Sequence, residues 1–128
     1  MSAMETRTPK IPGPDHPMSI SADAQRIVVS IAGKVVADTR GAVALREASY
    51  PVVHYIPRAD VKMELLEKTQ HKTYCPYKGE CTYYSIPCGG IKSVNAIWSY
   101  EHPYAAVGKI EGFMAFYRDR VDSIEVKP

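Results

Sequence analysis

The chain has 128 residues, of which 45% are hydrophobic, so its length and composition fit one domain with a single core. Lysine and arginine number 16 against 14 aspartate and glutamate residues, which gives a formal net charge of +2. A charge so close to zero offers no electrostatic basis for binding nucleic acid or an anionic membrane. We therefore expect neither of these partners, and the composition leaves the oligomeric state open.

The first 24 residues are predicted to form a mobile, proline-rich arm, and residues 25–128 a single β domain. The arm contains little apolar periodicity that would support a helix or strand. Charged residues interrupt its N-terminal part, so we expect no secretory signal and a cytoplasmic protein. Four of the ten prolines lie in the arm: Pro9, Pro12, Pro14 and Pro17.

The domain begins with short β-type patterns. Apolar residues alternate over residues 26–31, and a turn at Gly33-Lys34 precedes residues 35–37, which predicts a hairpin. Residues 42–48 are predicted to form the next strand, with Glu47 on the same face as Val43 and Leu45. Residues 52–56, bounded by two prolines, are predicted to form another strand.

A short helix is predicted over Asp60–Lys68, with Asp60 at its N-terminus and Val61, Leu65 and Leu66 facing the core. Residues 103–110 fit either a helical turn or a covering loop. Later strands are predicted over 82–86, 91–98, 113–117 and 121–126. The predicted fold class is therefore mainly β, a compact single antiparallel domain with one or two short helical turns.

Three cysteines, Cys75, Cys81 and Cys88, are an odd number in a chain with no predicted export signal, so we expect reduced thiols. They lack the paired spacing that binds zinc, so we expect no metal, and we expect no cofactor. Cys75 lies in the densest motif, Cys75-Pro76-Tyr77-Lys78-Gly79. An ammonium group beside Cys75 would favour the thiolate, which suits a nucleophile. The alternative is a buried structural thiol in a turn.

Glu47 lies on an apolar face, and a carboxylate is costly to bury without a hydrogen-bond donor. Lys78, Arg46 or a tyrosine hydroxyl could supply that donor. Apolar surroundings would raise the pKa of Glu47 and suit a general acid or base, whereas pairing with Lys78 would make a structural ion pair. The sequence leaves both interpretations open.

Nine of the twelve aromatic residues are tyrosines. Tyrosine combines a flat apolar ring with a polar tip, which suits either an amphipathic ligand or the edge of a core. Several fall in predicted strands, with a tryptophan among them: Tyr55, Tyr83, Tyr84, Tyr100, Tyr117 and Trp98.

The Cys-Pro-Tyr-Lys-Gly motif, followed by Tyr83-Tyr84, resembles that of a largely bacterial family of unknown function, one often labelled nucleotidyltransferase-like. Arg46-Glu47, Trp98-Ser99-Tyr100 and Phe116-Tyr117 agree with the same pattern, and the resemblance covers about residues 26–121. It implies a tent-like β fold, related in architecture to methionine sulfoxide reductase B and small zinc-bearing domains. Their zinc is not implied here, because the paired cysteines are missing. The site positions implied by the resemblance are Glu47, Tyr55, Asp60, Cys75, Tyr77, Lys78, Tyr83 and Trp98.

The leading hypothesis is a tyrosine-lined pocket in which Glu47 and Lys78 meet and a small polar or aromatic metabolite binds. Turnover of that metabolite is left open, with Glu47, Cys75 and Lys78 as candidate catalytic residues. The alternative is a non-enzymatic interaction module with a tyrosine-rich surface. Nucleotidyl transfer ranks last, because it needs clustered carboxylates and a phosphate cradle.

Overall fold

The computed structural model describes residues 7–128, which contain ten β-strands and five short 3-10 segments. Every strand pairing is antiparallel, which confirms the predicted mainly β fold class. None of the helical segments among these residues has the length and apolar character needed to cross a membrane. The strands are β1 (Met18–Asp23), β2 (Arg26–Ile31), β3 (Lys34–Thr39), β4 (Ala42–Glu47), β5 (Val53–Tyr55), β6 (Glu67–Cys75), β7 (Gly79–Ser85), β8 (Ile97–Ser99), β9 (Met114–Phe116) and β10 (Ser123–Lys127). The 3-10 segments are Arg58–Asp60, Met63–Leu65, Pro87–Ser93, Ala105–Ile110 and Arg118–Arg120.

The strands form three small sheets. The first sheet has the order β1-β4-β5 and the second β10-β2-β3, while the central sheet has the order β6-β7-β8-β9. A bridge between Ile56 and Met114 joins the end of the first sheet to β9, and one between Ala37 and Val61 fastens the chain after β5 to the second sheet. These bridges connect the three sheets through backbone hydrogen bonds.

The central sheet carries a hydrophobic cluster on each face. Successive side chains of a strand point to opposite faces, so Cys81 and Tyr83 of β7 share one face and Tyr84 takes the other. Tyr84 packs in the first cluster with Ile27 and Val29 of the second sheet. Cys81 and Tyr83 pack in the second cluster with Leu45 and Tyr55 of the first sheet. The central sheet is therefore the middle layer of the domain.

The predicted hairpin at residues 26–37 is confirmed as β2 and β3, with a small shift of its turn. Ile31 pairs with Lys34, so Ala32 and Gly33 form the two-residue loop. Both loop residues have positive φ, 53° and 76°. This geometry matches the right-handed twist of the flanking strands and requires a residue such as glycine at one or both positions.

The predicted helix over Asp60–Lys68 is wrong. Asp60 ends the 3-10 turn Arg58–Asp60, Met63–Leu65 forms a second such turn, and β6 begins at Glu67. The amide of Lys62 donates to the carbonyl oxygen of Val36, which fixes the chain to β3 where a helix would continue. Pairing of β6 with β7 supplies further backbone hydrogen bonds. Tertiary pairing has overridden the helical propensity of this segment.

The predicted strand at 91–98 is largely wrong, because a 3-10 segment occupies Pro87–Ser93 and β8 begins only at Ile97. The buried hydroxyl of Ser93 donates to the carbonyl oxygen of Arg120 at 2.7 Å. This contact fastens the segment against the Arg118–Arg120 turn. β6 was not predicted, since most of its residues are polar and exposed.

The N-terminal arm ends earlier than predicted. Residues Met18–Asp23 form β1, which pairs with β4 along its full length, so the β domain begins before residue 25. The apolar signal of β1 is weak because its sequence, MSISAD, carries only two large apolar side chains. The predicted mobility of residues 1–6 lies outside the described part of the chain.

The 3-10 segment Pro87–Ser93 packs closely around Gly89. A Cβ atom at Gly89 would overlap Ser93 Oγ and lie 2.8 Å from Ile31 Cγ1. We expect Gly89→Ala to lower the free energy of unfolding by about 1–3 kcal/mol through overpacking. Gly108→Ala is the matched control, because a Cβ there meets nothing within 4 Å. Urea unfolding of both variants measures the difference, and equal midpoints would contradict the prediction.

Candidate functional site

The Cys75-Pro76-Tyr77-Lys78-Gly79 motif forms the turn between β6 and β7. Cys75 pairs with Gly79, and the amide of Lys78 donates to the carbonyl oxygen of Cys75 at 3.2 Å. Proline suits the second position of such a turn, and Gly79 has a φ of 107°, a value that glycine adopts without strain. Turn geometry therefore explains the proline and the glycine of the motif. It does not explain why Tyr77 and Lys78 occupy the two positions between them.

Glu47 reaches this turn from the end of β4. Its backbone pairs with Met18 of β1, and the amide of Ala48 donates to the carbonyl oxygen of Pro17 at 2.7 Å. These contacts fix the chain just before β1 next to Glu47. His16 is thereby placed within reach of the Glu47 carboxylate.

Glu47 and Lys78 lie side by side, as the leading hypothesis expects. Lys78 Nζ donates to Glu47 Oε1 at 2.6 Å, and His16 Nε2 lies 2.7 Å from Glu47 Oε2. The side chains of Lys78 and Glu47 are only 10% and 14% exposed. Thirty-one residues of sequence separate the two partners, so the fold itself creates this cluster. We call Glu47, Lys78, His16 and Tyr77 the carboxylate cluster.

The electrostatics of the cluster keep Glu47 ionised at neutral pH. Burial raises the pKa of Glu47. Hydrogen bonds from Lys78 and His16 together lower it by a larger amount, so the pKa lies below its ordinary value. An ionised carboxylate only accepts hydrogen bonds, so the proton between Glu47 and His16 resides on Nε2. This arrangement favours Glu47 as an acceptor for positive or N–H groups over a role as general acid.

The ring of His16 stacks on the phenol of Tyr77. The ring centroids are 4.0 Å apart and the planes differ by 6°. Lys10 Nζ lies 5.9 Å from the centroid of the same tyrosine ring. Tyr77 therefore presents its flat face to the N-terminal segment at the tip of the motif turn.

A layer of buried aromatic residues underlies the cluster. Lys78 Nζ lies 5.7 Å from the ring centroid of Tyr100, and Trp98 Nε1 donates to the hydroxyl oxygen of Tyr55 at 3.1 Å. Burial raises the pKa of Tyr55 and of Tyr100 above the ordinary phenol value. The negative charge of Glu47 raises the pKa of Tyr55 further, as expected of neighbouring groups. Both phenols are therefore neutral at physiological pH.

Tyr83 and the cysteines pack beside this layer. The Tyr83 hydroxyl shares a 2.8 Å hydrogen bond with Thr73, and its ring contacts His71 at 4.5 Å between centroids. Burial raises the pKa of the Cys81 thiol, which keeps it protonated. Cys75 is half-buried against the second hydrophobic cluster. The packing of Cys75 against apolar side chains favours a structural role for this thiol over a lysine-activated nucleophile.

Asp60 does not join the carboxylate cluster. It lies in the Arg58–Asp60 turn, and Thr39 Oγ1 donates to Asp60 Oδ2 at 2.7 Å. Thr39 Oγ1 also accepts from the amide of Gly41, so this contact braces the connection between β3 and β4. The local structure gives Asp60 a bracing role.

Trp98 also lines an apolar cleft of about 180 Å³ between the second sheet and the ends of β5 and β9. Its wall includes Ile27, Val29, Ile56 and Phe116, with His54 and Arg118 as polar members. Neither Glu47 nor Lys78 lies in this wall. This cleft therefore does not coincide with the predicted tyrosine-lined pocket.

Two residues of the site were missed from the predicted set. His16 lies in a Pro-Gly-Pro-Asp-His-Pro run, which predicts turns but gives no partner for the imidazole. Only the pairing of β1 with β4 brings it to Glu47. Tyr100 falls in the Trp-Ser-Tyr run and faces Lys78, a contact that sequence spacing does not reveal.

Among residues 7–128, no group of three potential metal ligands converges. The fold and the carboxylate cluster define a small antiparallel β domain with a mostly buried ion pair at one turn. The chain belongs to the family described as a domain of unknown function (DUF427), whose sequence pattern matches residues 19–127. This agrees with the resemblance to a family of unknown function. No curated protein matches the chain. Glu47, Tyr77 and Lys78 lie inside the matched range, and His16 lies outside it.

The carboxylate cluster predicts strong coupling between Glu47 and Lys78. We expect Lys78→Met to lower the free energy of unfolding by about 2 kcal/mol, because it leaves a mostly buried carboxylate with one donor fewer. The double variant Glu47→Gln/Lys78→Met should cost less than the sum of the single variants, with a coupling energy of about 1 kcal/mol or more. Urea unfolding at neutral pH gives the free energies of unfolding of wild type, of the two single variants and of the double variant. Simple additivity would show that the two groups do not interact in solution.

A second ionic network predicts a pH dependence at Glu101. Burial raises the pKa of Glu101, but hydrogen bonds from Tyr84, Lys68 and Arg58 bring it down to about 2. A lowered pKa stabilises the fold above the ordinary value of 4.5, and this contribution is lost as the pH falls toward about 2. We expect Glu101→Gln to cost about 1–2 kcal/mol at neutral pH, after allowance for solvent screening, and much less near pH 2. Urea unfolding of both proteins across this range measures the change, and a constant difference would contradict it.

Proposed function

We propose that this domain binds a small polar or aromatic metabolite at the carboxylate cluster. The observation that carries the proposal is the Glu47–Lys78 pair, 2.6 Å apart and mostly buried above a layer of tyrosines. A buried ion pair is a poor source of stability compared with apolar packing, so its presence favours a binding role.

The donors and acceptors of the cluster define what a ligand should carry. Lys78 has three N–H donors and spends one on Glu47, so its ammonium group can also hold a ligand oxygen or nitrogen. Glu47 accepts from a second donor through Oε2, the position that His16 occupies. A suitable ligand therefore has a donor and an acceptor close together, next to a flat surface that contacts Tyr77.

Binding is better supported than acid–base catalysis. The lowered pKa of Glu47 keeps the carboxylate ionised and makes it a weak base. Cys81 is buried with a raised pKa. These features of the site thus support binding of a ligand over its chemical turnover.

The alternative interaction module would need tyrosines on the surface. Tyr55, Tyr83, Tyr84 and Tyr100 are buried, so they build the core instead of an exposed aromatic patch. Tyr50 is exposed, but a single exposed ring is common on protein surfaces. Four further tyrosines are half-buried, and their rings contact other aromatic side chains of the chain: Tyr74, Tyr77, Tyr104 and Tyr117. These observations favour the small-molecule proposal.

The experiment is a thermal-shift screen of the full chain against a metabolite library. A compound that binds the folded state raises the melting temperature by mass action. We expect the hits to lose at least about tenfold in affinity with Glu47→Gln and with Lys78→Met, as for loss of a charge-assisted hydrogen bond.

The matched control for this screen is Glu101→Gln, which removes a carboxylate of similar exposure that also pairs with a lysine, in a different network. Hits should keep their affinity in this variant. Hits that depend equally on Glu47 and Glu101, or a library without hits on wild type and on the His16 variants described below, would argue against the proposed function.

A further inference from the structure

The N-terminal segment 10–17 lies across the carboxylate cluster, held by a few backbone contacts. The amide of Lys10 donates to the carbonyl oxygen of Pro76 at 2.9 Å, and Gly13 and His16 bond to each other in a tight turn. The carbonyl oxygen of Pro17 accepts from Ala48. Most residues of the segment are exposed, whereas the His16 side chain is 22% exposed. The imidazole is thus the side chain by which the segment reaches the Glu47 carboxylate.

His16 contacts the cluster in the way a bound ligand would. Its ring lies parallel to Tyr77 at a centroid distance of 4.0 Å, a stacked arrangement. Its Nε2–H points at Glu47 Oε2 at 2.7 Å, the length of a charge-assisted hydrogen bond. One planar ring therefore donates to Glu47 Oε2 and stacks on Tyr77 at the same time.

A second histidine–tyrosine pair in the same chain shows the contrast. His71 contacts Tyr83 at 4.5 Å with planes tilted by 58°, and the histidine is exposed. The hydrogen bond of its backbone amide goes to Thr69. His71 thus resembles an ordinary surface contact, and His16 differs from it in stacking, burial and its carboxylate partner.

We propose that the carboxylate cluster selects a planar nitrogen heterocycle with a ring N–H, and that His16 is the chain's own occupant, which such a ligand displaces. This inference rests on the proposed function and names its ligand class. The ligand ring stacks on Tyr77, its N–H donates to Glu47 Oε2, and an acceptor next to the N–H receives a hydrogen bond from Lys78.

Displacement of His16 makes binding a competition within the chain. A ligand that needs the open site binds with an affinity reduced by the fraction of molecules in which His16 is away. Removal of the imidazole abolishes this competition and leaves a ring-sized gap between Tyr77 and Glu47. The gap has one polar wall and one aromatic wall, so a ring with an N–H donor fits it better than an apolar ring of the same size.

The test uses imidazole as the probe on the full chain with His16→Ala. We expect imidazole to raise the melting temperature of this variant in a saturable way, with wild type requiring at least about tenfold more probe for the same shift. Thiazole is the control probe, because it is a planar ring of similar size without an N–H. His71→Ala is the control variant, because it removes the imidazole of the other histidine–tyrosine pair, which is tilted and has no carboxylate partner among the described residues.

His16→Ser serves as a second variant in case the alanine variant is poorly folded, and His16→Ala/Glu47→Gln removes the acceptor. Selective, saturable stabilisation of His16→Ala or His16→Ser by imidazole, lost with Glu47→Gln, supports the inference. No saturable effect in either variant, an equal effect of thiazole, or an equal effect on His71→Ala overturns it.

The two proposals fail in different ways. Library compounds that bind wild type through Glu47 and Lys78 but carry no ring N–H, and gain nothing from His16→Ala, would overturn the ligand class and leave the binding site intact. A library that gives no hit on wild type, His16→Ala or His16→Ser would remove the proposed function itself.

Discussion

Both hydrophobic clusters depend on one constraint, the burial of the two faces of the central sheet. Side chains of β7 alternate between a cluster shared with the second sheet and one shared with the first. Because the sheet is held on both sides, the turn between β6 and β7 has a fixed position relative to the end of β4. The contact between Glu47 and Lys78 follows from this layering, since Glu47 ends a strand of the first sheet and Lys78 lies in a turn of the central sheet.

The parts of the fold that could be predicted are those with a strong local signal. Alternating apolar residues and a glycine turn identify β2 and β3, and the flanking prolines place β5 closely. The turn at Cys75–Gly79 also has a strong local signal, because proline and glycine occupy positions that suit their backbone preferences. Electrostatics predict that a buried Glu47 needs a donor, and Lys78 is one of the candidate donors that the sequence offers.

The remaining elements depend on distant partners. Residues 60–68 have helical propensity, but hydrogen bonds to β3 and β7 hold them in a path that a continuous helix cannot follow. β1 and β6 lack a strong apolar pattern and become strands only through pairing with β4 and β7. The same dependence hides His16, whose role arises from the register between Met18 and Glu47. No spacing within the N-terminal segment encodes that contact.

The polarity of β6 has a consequence for solubility. This nine-residue strand forms an outer edge of the central sheet, where unpaired backbone groups invite a strand from another molecule. The strand carries exposed charged or titratable side chains at Glu67, Lys68, His71 and Lys72. Its pairing with β7 is irregular between Lys68 and Lys72. Charge and irregular geometry together disfavour edge-to-edge association, so the residues that weaken the strand signal in the sequence also protect the folded domain from aggregation.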